Sequence, residues 1–304
     1  MTGAPLISII TPTFNRTSIK KAIASSMYAS RVQIEHIIVD DCSKKDYWDM
    51  LVDISKKFPD QLRVFRNAKN CGPGASRNFG LQQSSAKFIF FLDSDDFLAP
   101  EALESMVDEA EKSGSDIVIP MALRQDQKIH GNFLSIDACS GVPFSHCAAI
   151  KDLGPCKLFN RNFLIKNNLQ FPSQRYWGED QLFMLKAYLA TSRISILTQN
   201  ISLFLTEAGD NLTTKPKLEE VLDTIYEILV FSSHLDITDV RRILILRRIF
   251  NSDLRAITKF LENENKRWPH IDKYIHEKIM PFLDPVTSQF IDEDLKLLLY
   301  KHFT

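Results

Sequence analysis

The sequence has 304 residues, of which 44% are apolar and 25% charged, enough for one large globular domain and a smaller addition. The formal net charge of −1 excludes the overall basic field that gathers nucleic acid, so we expect no nucleic-acid partner. The five cysteines form no CxxC pair and no metal-like spacing with histidine, which favours free thiols in a reducing cytoplasm.

Near-continuous apolar runs alternate with helix-like segments in the first part of the chain. The runs, typical of strands buried on both faces, are LISII (6–10), IEHIIVD (34–40), LRVFRN (62–67), KFIFFLD (87–93) and DIVIP (116–120). The helix-like segments span 17–29, 44–59, 73–85 and 100–114. This alternation predicts an α/β fold with a doubly wound sheet. The first run is too short for a signal peptide or a membrane span.

The pattern changes twice in the rest of the sequence. Residues 121–175 are polar and loop-rich. They are followed by a predicted helix at 178–192 and a predicted strand at 193–200. Beyond GDNLTTKPK (209–217), which has the composition of a linker, the pattern is helical to the end. We therefore predict an α/β domain over 1–213 and a helical domain over 214–304.

A polar cluster follows each of the first four predicted strands. The clusters are TPTFNR (11–16), DDCS (40–43), NCGPGASRN (70–78) and DSDD (93–96). Ligands of open α/β sheets bind at the carboxyl ends of the strands. We therefore expect the four clusters to form one site.

The DSDD cluster crowds Asp93, Asp95 and Asp96 together. Adjacent carboxylates disfavour joint ionisation unless a cation neutralises them, and their oxygens suit Mg²⁺ or Mn²⁺, which typically bridges nucleotide phosphates. The alternative is that Asp95 and Asp96 form a turn and cap the helix near residue 100.

The DDCS and NCGPGASRN clusters have structural alternatives too. Asp40, Asp41 or Ser43 could cap the helix predicted from residue 44. The glycine-rich turn could present backbone N–H groups and Arg77 to phosphate, or it could be a plain tight turn. It matches neither the P-loop nor the dinucleotide-binding fingerprint.

Five motifs together resemble the family 2 glycosyltransferases of the GT-A fold. They are ISIITPTFNR, IIVDDCS, NCGPGASRNFG, FFLDSDDFLAPEALE and YWGEDQLFMLKAY, within residues 5 to about 213. The resemblance implies a Rossmann-like, doubly wound mixed sheet over 1–213, followed by the helical region. It implies inverting transfer of a sugar from a nucleotide-sugar donor, usually a UDP-sugar, to an acceptor hydroxyl. The expected setting is the synthesis of a bacterial cell-surface glycan or glycoconjugate.

The resemblance also assigns a nucleotide site. Pro12, Thr13 and Phe14 are implied to line the uracil pocket, and Asp41 to bond the uracil edge. The implied nucleotide-sugar-binding residues are Pro12, Thr13, Phe14, Asp41, Asn70, Arg77, Asp93, Ser94 and Asp95. Asp95 is the implied ligand of Mn²⁺ or Mg²⁺, and Asp93 addresses the metal or the ribose. Many relatives add a histidine ligand that 203–214 lacks, and Glu207, Asp210 or water could substitute for it.

The GED at 178–180 resembles the family's acceptor-side motif. The resemblance makes Asp180 the general base, with Glu179 binding donor or acceptor hydroxyls. An alcohol is a poor nucleophile until its proton is removed, so a positioned carboxylate contributes ~10²- to 10⁴-fold in rate. The alternative is that both are acidic residues favoured by the first turn of a helix. Trp177 could stack on an acceptor sugar or belong to the core.

The helical region carries a segment that is both apolar and basic. VRRILILRRIFNSDLRAITKFL interleaves Arg241, Arg242, Arg247 and Arg248 with Ile and Leu. It could touch the anionic inner face of a membrane, pack its apolar face on the protein with arginines in water, or form a dimer interface. The expected location is cytoplasmic, with a glycan, lipid-linked or protein acceptor as partner.

Two other functions compete with sugar transfer. The chain could be a noncatalytic nucleotide-sugar-binding or assembly subunit that works through its helical tail, but such a module would not need the GED base. It could transfer a nucleotidyl group to a sugar phosphate, which usually relies on a basic glycine-rich loop after the first strand. TPTFNRT is not such a loop.

Overall fold

The computed structural model describes residues 4–28, 32–124, 152–173, 178–198, 202–206, 217–236, 239–263, 268–283, 285–289, 291–293, 295–296 and 299. The chain divides into two compact units, Met1–Asn211 and Leu212–Thr304. The boundary predicted after residue 213 lies outside the described residues, as do Trp177, Glu207 and Asp210.

The first unit contains the described strands in two sheets. The strands are β1 (Ile7–Thr13), β2 (Ile34–Asp40), β3 (Leu62–Arg66), β4 (Phe88–Phe91), β5 (Phe97–Leu98), β6 (Ile117–Ile119), β7 (Ala122–Arg124), β8 (Leu158–Asn160), β9 (Ile194–Ile196) and β10 (Leu203–Leu205). Seven of them form the main sheet in the order β3-β2-β1-β4-β8-β6-β9, and β5-β10-β7 form the other. The neighbours β3, β2, β1 and β4 run parallel, which confirms the predicted sheet.

The helices of this unit follow the predicted alternation. They are α1 (Ile19–Tyr28), α2 (Lys45–Ser55), α3 (Pro73–Gln83), α4 (Ala102–Ser113), α5 (Arg161–Lys166) and α6 (Glu179–Leu189). The N-cap residues of α2 and α4 are Lys44 and Glu101, and neither makes a side-chain capping bond. The capping predicted for DDCS and DSDD is therefore wrong, whereas the turn predicted in the same alternative for DSDD is present at Ser94 and Asp95.

The expectation of a loop-rich stretch from 121 to 175 is wrong for its second half. There β8 pairs antiparallel with both β4 and β6, which makes the main sheet mixed, and α5 follows it directly. The strand is short, but Leu158 and Phe159 are almost fully buried. Pairing with β4 and β6 and the burial of its side chains, rather than periodicity, stabilise it.

An aromatic cluster lies beside the start of α6. The ring of Phe91, at the end of β4, packs edge-on against Phe159, Phe171 and Phe183, with centroids 5.1 to 5.8 Å apart. Phe171 and Phe183 stack at 3.8 Å. Because Phe183 is on α6 and Phe171 precedes it, this cluster fixes the helix that begins with the GED motif against the end of β4.

The second unit is helical where it is described. Its helices are α7 (Leu218–Ser232), α8 (Val240–Arg248), α9 (Arg255–Asn263), α10 (Pro269–Tyr274) and α11 (Pro285–Ser288), with π-helical turns at Ile249–Leu254 and Ile275–Ile279 and a 3₁₀ turn at Met280–Phe282. None of the helices in the described part of the chain is long and apolar enough to span a bilayer.

Three of the four arginines of α8 are engaged within this unit. Arg241 pairs with Asp239, and Arg248 lies 3.8 Å from Asp253. Arg242 donates to the Leu235 carbonyl. Only Arg247 among the four is classed as exposed, so the basic face available to an anionic surface is much smaller than the sequence suggested.

Candidate active site

Asp41 shapes the glycine-rich loop before α3. The carboxylate is 4% exposed and accepts hydrogen bonds from Asn67 Nδ2 and from the backbone N–H groups of Cys71 and Gly72, each 2.8 Å long. Gly72 has a φ of 86°, a conformation that glycine adopts without a steric penalty. Asp41 thus ties the end of β2 to this loop, and its contact with uracil stays a prediction.

The predicted uracil pocket contains buried polar atoms that lack partners. Thr13 Oγ1, at the end of β1, and Asn70 Oδ1, in the glycine-rich loop, are buried and have no hydrogen-bond partner among the described residues. Pro12 is buried, and Phe14 is 45% exposed. A buried polar group left unsatisfied costs about 1–3 kcal/mol, so these atoms are suited to receive a ligand.

The ends of β1 and β2 are joined around Asn15. Its N–H donates to Ser43 Oγ, and its side-chain oxygen accepts from the Lys44 N–H, both at 2.8 Å. The next residue, Arg16, lies 3.8 Å from Asp95 Oδ2. Arg16 therefore belongs to the site, although the sequence analysis did not single it out. The sequence signal that could have indicated Arg16 is its position at the end of TPTFNR, the polar cluster after the first strand.

The DSDD turn divides its carboxylates between two environments. Asp95 lies beside Arg16, whereas the donor atoms of Asp93, Asp96 and Cys156 lie within 4.8 Å of one another. Asp96 accepts from the Thr206 N–H at 2.8 Å, and burial, followed by the charge of Asp93, raises its pKa to about 8. Ser94 is buried in the same turn.

The GED motif begins α6. Gly178 is the N-cap residue with a φ of 74°, and Glu179 and Asp180 occupy the first turn. Asp180 Oδ1 accepts from the Gln181 N–H. Burial raises the pKa of Asp180 to about 7, the negative charge of Glu179 adds to the rise, and Arg77 opposes it. A carboxyl group that ionises near neutral pH suits general base catalysis.

Arg77 lies between the two motifs. Its guanidinium donates from Nη2 to Asp93 Oδ1 at 2.8 Å and from Nη1 to Glu179 Oε1 at 2.7 Å. The side chain is buried, with the guanidinium carbon 5.1 Å from the centre of the Phe171 ring. The structure therefore brings the predicted donor-side and acceptor-side carboxylates to one arginine.

Residues 8–184, more than half of the chain, match the family described as Glycosyl transferase family 2. The chain belongs to this family. Family 2 membership agrees with the resemblance carried by the five motifs, all of which lie within or overlap the matched range.

Two relatives of the chain have names that refer to the glycosylation of poly(ribitol phosphate). Poly(ribitol-phosphate) beta-N-acetylglucosaminyltransferase TarS of Staphylococcus aureus (strain MW2) is 28% identical over 215 residues, 68% of this chain and 37% of that protein. Poly(ribitol-phosphate) beta-glucosyltransferase of Bacillus spizizenii is 28% identical over 193 residues, 62% of this chain and 30% of that protein. The chain thus spans about a third of the length of these two curated relatives.

A solved structure confirms the fold. The crystal structure of S. aureus TarS 1–349 in complex with UDP-GlcNAc has a TM-score of 0.78 and 24% identity, and the match covers 96% of this chain and 83% of that one. The likeness establishes the GT-A fold and a helical C-terminal region.

Proposed function

We propose that this family 2 protein transfers a sugar from a UDP-sugar to a hydroxyl group of a glycan polymer, with inversion at the anomeric carbon. The observation that carries the proposal is that Thr13 Oγ1, next to the half-exposed Phe14 in the chain, and Asn70 Oδ1 in the glycine-rich loop are buried without a hydrogen-bond partner among the described residues. Relatives named for poly(ribitol phosphate) and a neighbour solved with UDP-GlcNAc support a polyol-phosphate acceptor and a UDP-linked donor.

The proposed chemistry is a single displacement. The acceptor hydroxyl attacks the anomeric carbon, the bond from that carbon to the diphosphate oxygen breaks, and the hydroxyl proton passes to Asp180. The raised pKa of Asp180, about 7, makes it a stronger base than an ordinary carboxylate, and about half of it is ionised at pH 7. UDP leaves with the bonding electron pair.

A divalent cation, Mn²⁺ or Mg²⁺, belongs to the proposal. The carboxylates of the DSDD turn fit a hard cation, and Asp95 and Asp93 would hold it. When bound, the cation stabilises the negative charge on the leaving UDP. Asp96 and Cys156 offer further donor atoms within 4.8 Å of Asp93. This assignment gives Asp96 a larger role than the sequence did.

The setting and the macromolecular partners are part of the same proposal. A UDP-sugar donor and a polymer acceptor fit the synthesis of a bacterial cell-surface polysaccharide in the cytoplasm. Membrane contact through α8 is less favoured, because Arg241, Arg242 and Arg248 are engaged within their own unit. Self-association through the helical unit stays a prediction.

Two threonines on β1 give a matched test of the donor site. Thr13 Oγ1 has no partner within the described part of the chain, whereas Thr11 Oγ1 is 2.8 Å from His36 Nε2. Thr13→Val should preserve stability and weaken UDP binding by about fivefold, since one hydrogen bond contributes about 1 kcal/mol. Thr11→Val should lower stability and leave UDP affinity unchanged.

Calorimetry with UDP, thermal unfolding and UDP-GlcNAc turnover with poly(ribitol phosphate) are the measurements. Equal UDP affinity in Thr13→Val and the wild type would contradict the pocket assignment. UDP binding without turnover with any sugar or acceptor would favour the noncatalytic alternative. Release of pyrophosphate from a nucleoside triphosphate and a sugar phosphate would indicate nucleotidyl transfer instead.

A further inference from the structure

Arg77 is paired with two carboxylates, and its Nε is buried without a hydrogen-bond partner among the described residues. Both Nη atoms donate to carboxylate oxygens, at 2.7 and 2.8 Å, and the residue is 5% exposed. The two partners belong to different motifs, since Asp93 follows β4 and Glu179 begins α6. Burial opposes the charged form of Arg77, but the charges of Asp93 and Glu179 prevail and raise its pKa, so the guanidinium stays ionised.

The helix that carries Arg77 is clamped to the chain just before the GED motif. Asn78 Nδ2 donates to the Phe171 carbonyl at 2.8 Å, and Asn78 Oδ1 accepts from the Phe171 N–H at 2.9 Å. A Cβ added at Gly74 would lie 2.7 Å from the Pro172 carbonyl oxygen and 3.1 Å from Glu179 Cγ. This close approach fixes the distance over which Arg77 reaches Glu179.

Three charged side chains act on Asp180 from three elements. They are Glu179, which precedes it on α6, Arg77 on α3 and Asp93 in the turn after β4, and the charge of each shifts the pKa of Asp180. The two carboxylates disfavour ionisation of Asp180, and the guanidinium favours it. The positive charge of Arg77 offsets the negative charges of Glu179 and Asp93, which would otherwise favour the protonated form of Asp180.

We propose that Arg77 is a positioning residue that keeps the base Asp180 ionised at neutral pH by pairing with both Glu179 and Asp93. The inference rests on the proposed function and deepens it. It assigns Arg77 to the base rather than to the diphosphate, because each Nη atom already donates one hydrogen bond to a carboxylate of the site. Binding of the sugar donor at Asp93 is thereby linked to the ionisation of Asp180.

Two substitutions should shift the pH dependence of the same reaction in opposite directions, and this tests the assignment. In the full chain, Arg77→Met should move the acid limb of the kcat/KM profile for UDP release from UDP-GlcNAc upward by about one pH unit, because the favourable charge is lost. Glu179→Gln should move the same limb downward, because an unfavourable charge is lost while the shape is kept. A role confined to stability predicts no shift in either variant.

Binding measurements separate the two roles of Arg77. Calorimetry should give Arg77→Met the wild-type ratio of UDP affinity to uridine affinity. A tenfold selective loss of UDP affinity would show that Arg77 contacts the diphosphate and would overturn the proposal. Arg63→Met is the control, because Arg63 pairs with Glu35 at 2.9 Å and its loss should leave the acid limb unmoved.

The outcomes also separate this inference from the proposed function. If Arg77→Met does not fold, Glu179→Gln alone decides, and an unmoved or raised limb in that variant overturns the inference. If the wild type turns over UDP-GlcNAc but neither limb moves, only this inference fails. If the wild type neither binds UDP nor releases it from UDP-sugars, the proposed function fails and the inference falls with it.

Discussion

At the scale of single residues, two left-handed backbone positions lie at the carboxyl edge of the sheet. Asn15 has a φ of 50° and Cys42 a φ of 65°. Asparagine adopts this conformation more readily than most residues, and the Asn15 side chain also accepts a hydrogen bond from the Lys44 N–H. Cysteine lacks this preference, and the Cys42 side chain makes only a weak bond, from Sγ to the Ala68 carbonyl at 3.7 Å. Cys42 sits between Asp41 and Ser43, so the strain lies where those two side chains are set.

Cys42→Gly should relieve this strain. We expect its free energy of unfolding to equal or exceed that of the wild type by up to about 1 kcal/mol, because glycine adopts positive φ without the steric penalty. The control is Cys71→Gly in the neighbouring loop, which is not among the residues with positive φ and should lose about 1 kcal/mol. Urea unfolding measures both, and equal losses would contradict the strain argument.

The residues that the sequence analysis underrated are those whose partners are far away along the chain. Asp96 meets the Thr206 N–H across 110 residues and Cys156 across 60. Nothing local distinguishes such an aspartate from a helix cap. The roles of Thr13 and Asp180 could be predicted only from the resemblance of whole motifs to a family, since propensity and periodicity carry no information about unpartnered oxygens or general bases. Asp93 was indicated also by the crowding of carboxylates in DSDD.

At the scale of elements, α3 is the piece that joins the two halves of the site. It carries Arg77 and Asn78, and it packs so closely on the chain before α6 that position 74 has room only for glycine. Gly80 on the same helix approaches Ile10 of β1, where an added Cβ would lie 2.4 Å from Cγ2. Gly74 and Gly80 therefore allow α3 to pack closely against the sheet and against the segment that carries the acceptor motif.

Gly74→Ala should disrupt that packing. The added methyl group would meet a backbone oxygen, which cannot move cheaply, so we expect a loss of about 1–3 kcal/mol in stability. Turnover should fall more than UDP affinity, because Glu179 is displaced while the nucleotide pocket is kept. Gly154→Ala is the control, since its nearest contact would be an ordinary 3.4 Å. Wild-type stability in Gly74→Ala would contradict the packing argument.

The elements that the sequence predicted best are those with long, repeated signals. The runs that became β1, β2 and β4 are continuous and buried at every position, and α4 buries Leu103, Met106, Val107 and Ala110 along one face. The strand β8 was missed because three residues carry no periodicity. These residues form a strand because they pair between β4 and β6, and this pairing exists only once the sheet has assembled.

At the scale of the whole molecule, a buried histidine ties stability to pH. His36 on β2 is fully buried between Thr11 Oγ1, 2.8 Å from Nε2, and Ser26 Oγ, 2.7 Å from Nδ1. These bonds link β1, β2 and α1. Burial lowers the pKa of His36 to about 3, so the imidazole stays neutral in the folded state.

Stability should therefore fall as the solution is acidified below the ordinary histidine pKa. The unfolded chain binds a proton at His36 below about pH 6.5, whereas the folded chain does not until about pH 3. Between these values the free energy of unfolding should fall by up to about 1.4 kcal/mol per pH unit. His36→Gln should flatten this slope, and His270→Gln, an exposed control, should not. An unchanged slope in His36→Gln would contradict the assignment.

The central claim is that Asp180 removes the acceptor proton during transfer from a UDP-sugar. The measurement is turnover of UDP-GlcNAc with poly(ribitol phosphate) by the wild type and Asp180→Asn across neutral pH, with UDP affinity measured alongside. The account predicts a wild-type rate that rises with pH and levels off above the Asp180 pKa of about 7. It predicts an Asp180→Asn rate reduced by ~10²- to 10⁴-fold at unchanged UDP affinity. Wild-type turnover in Asp180→Asn would contradict it.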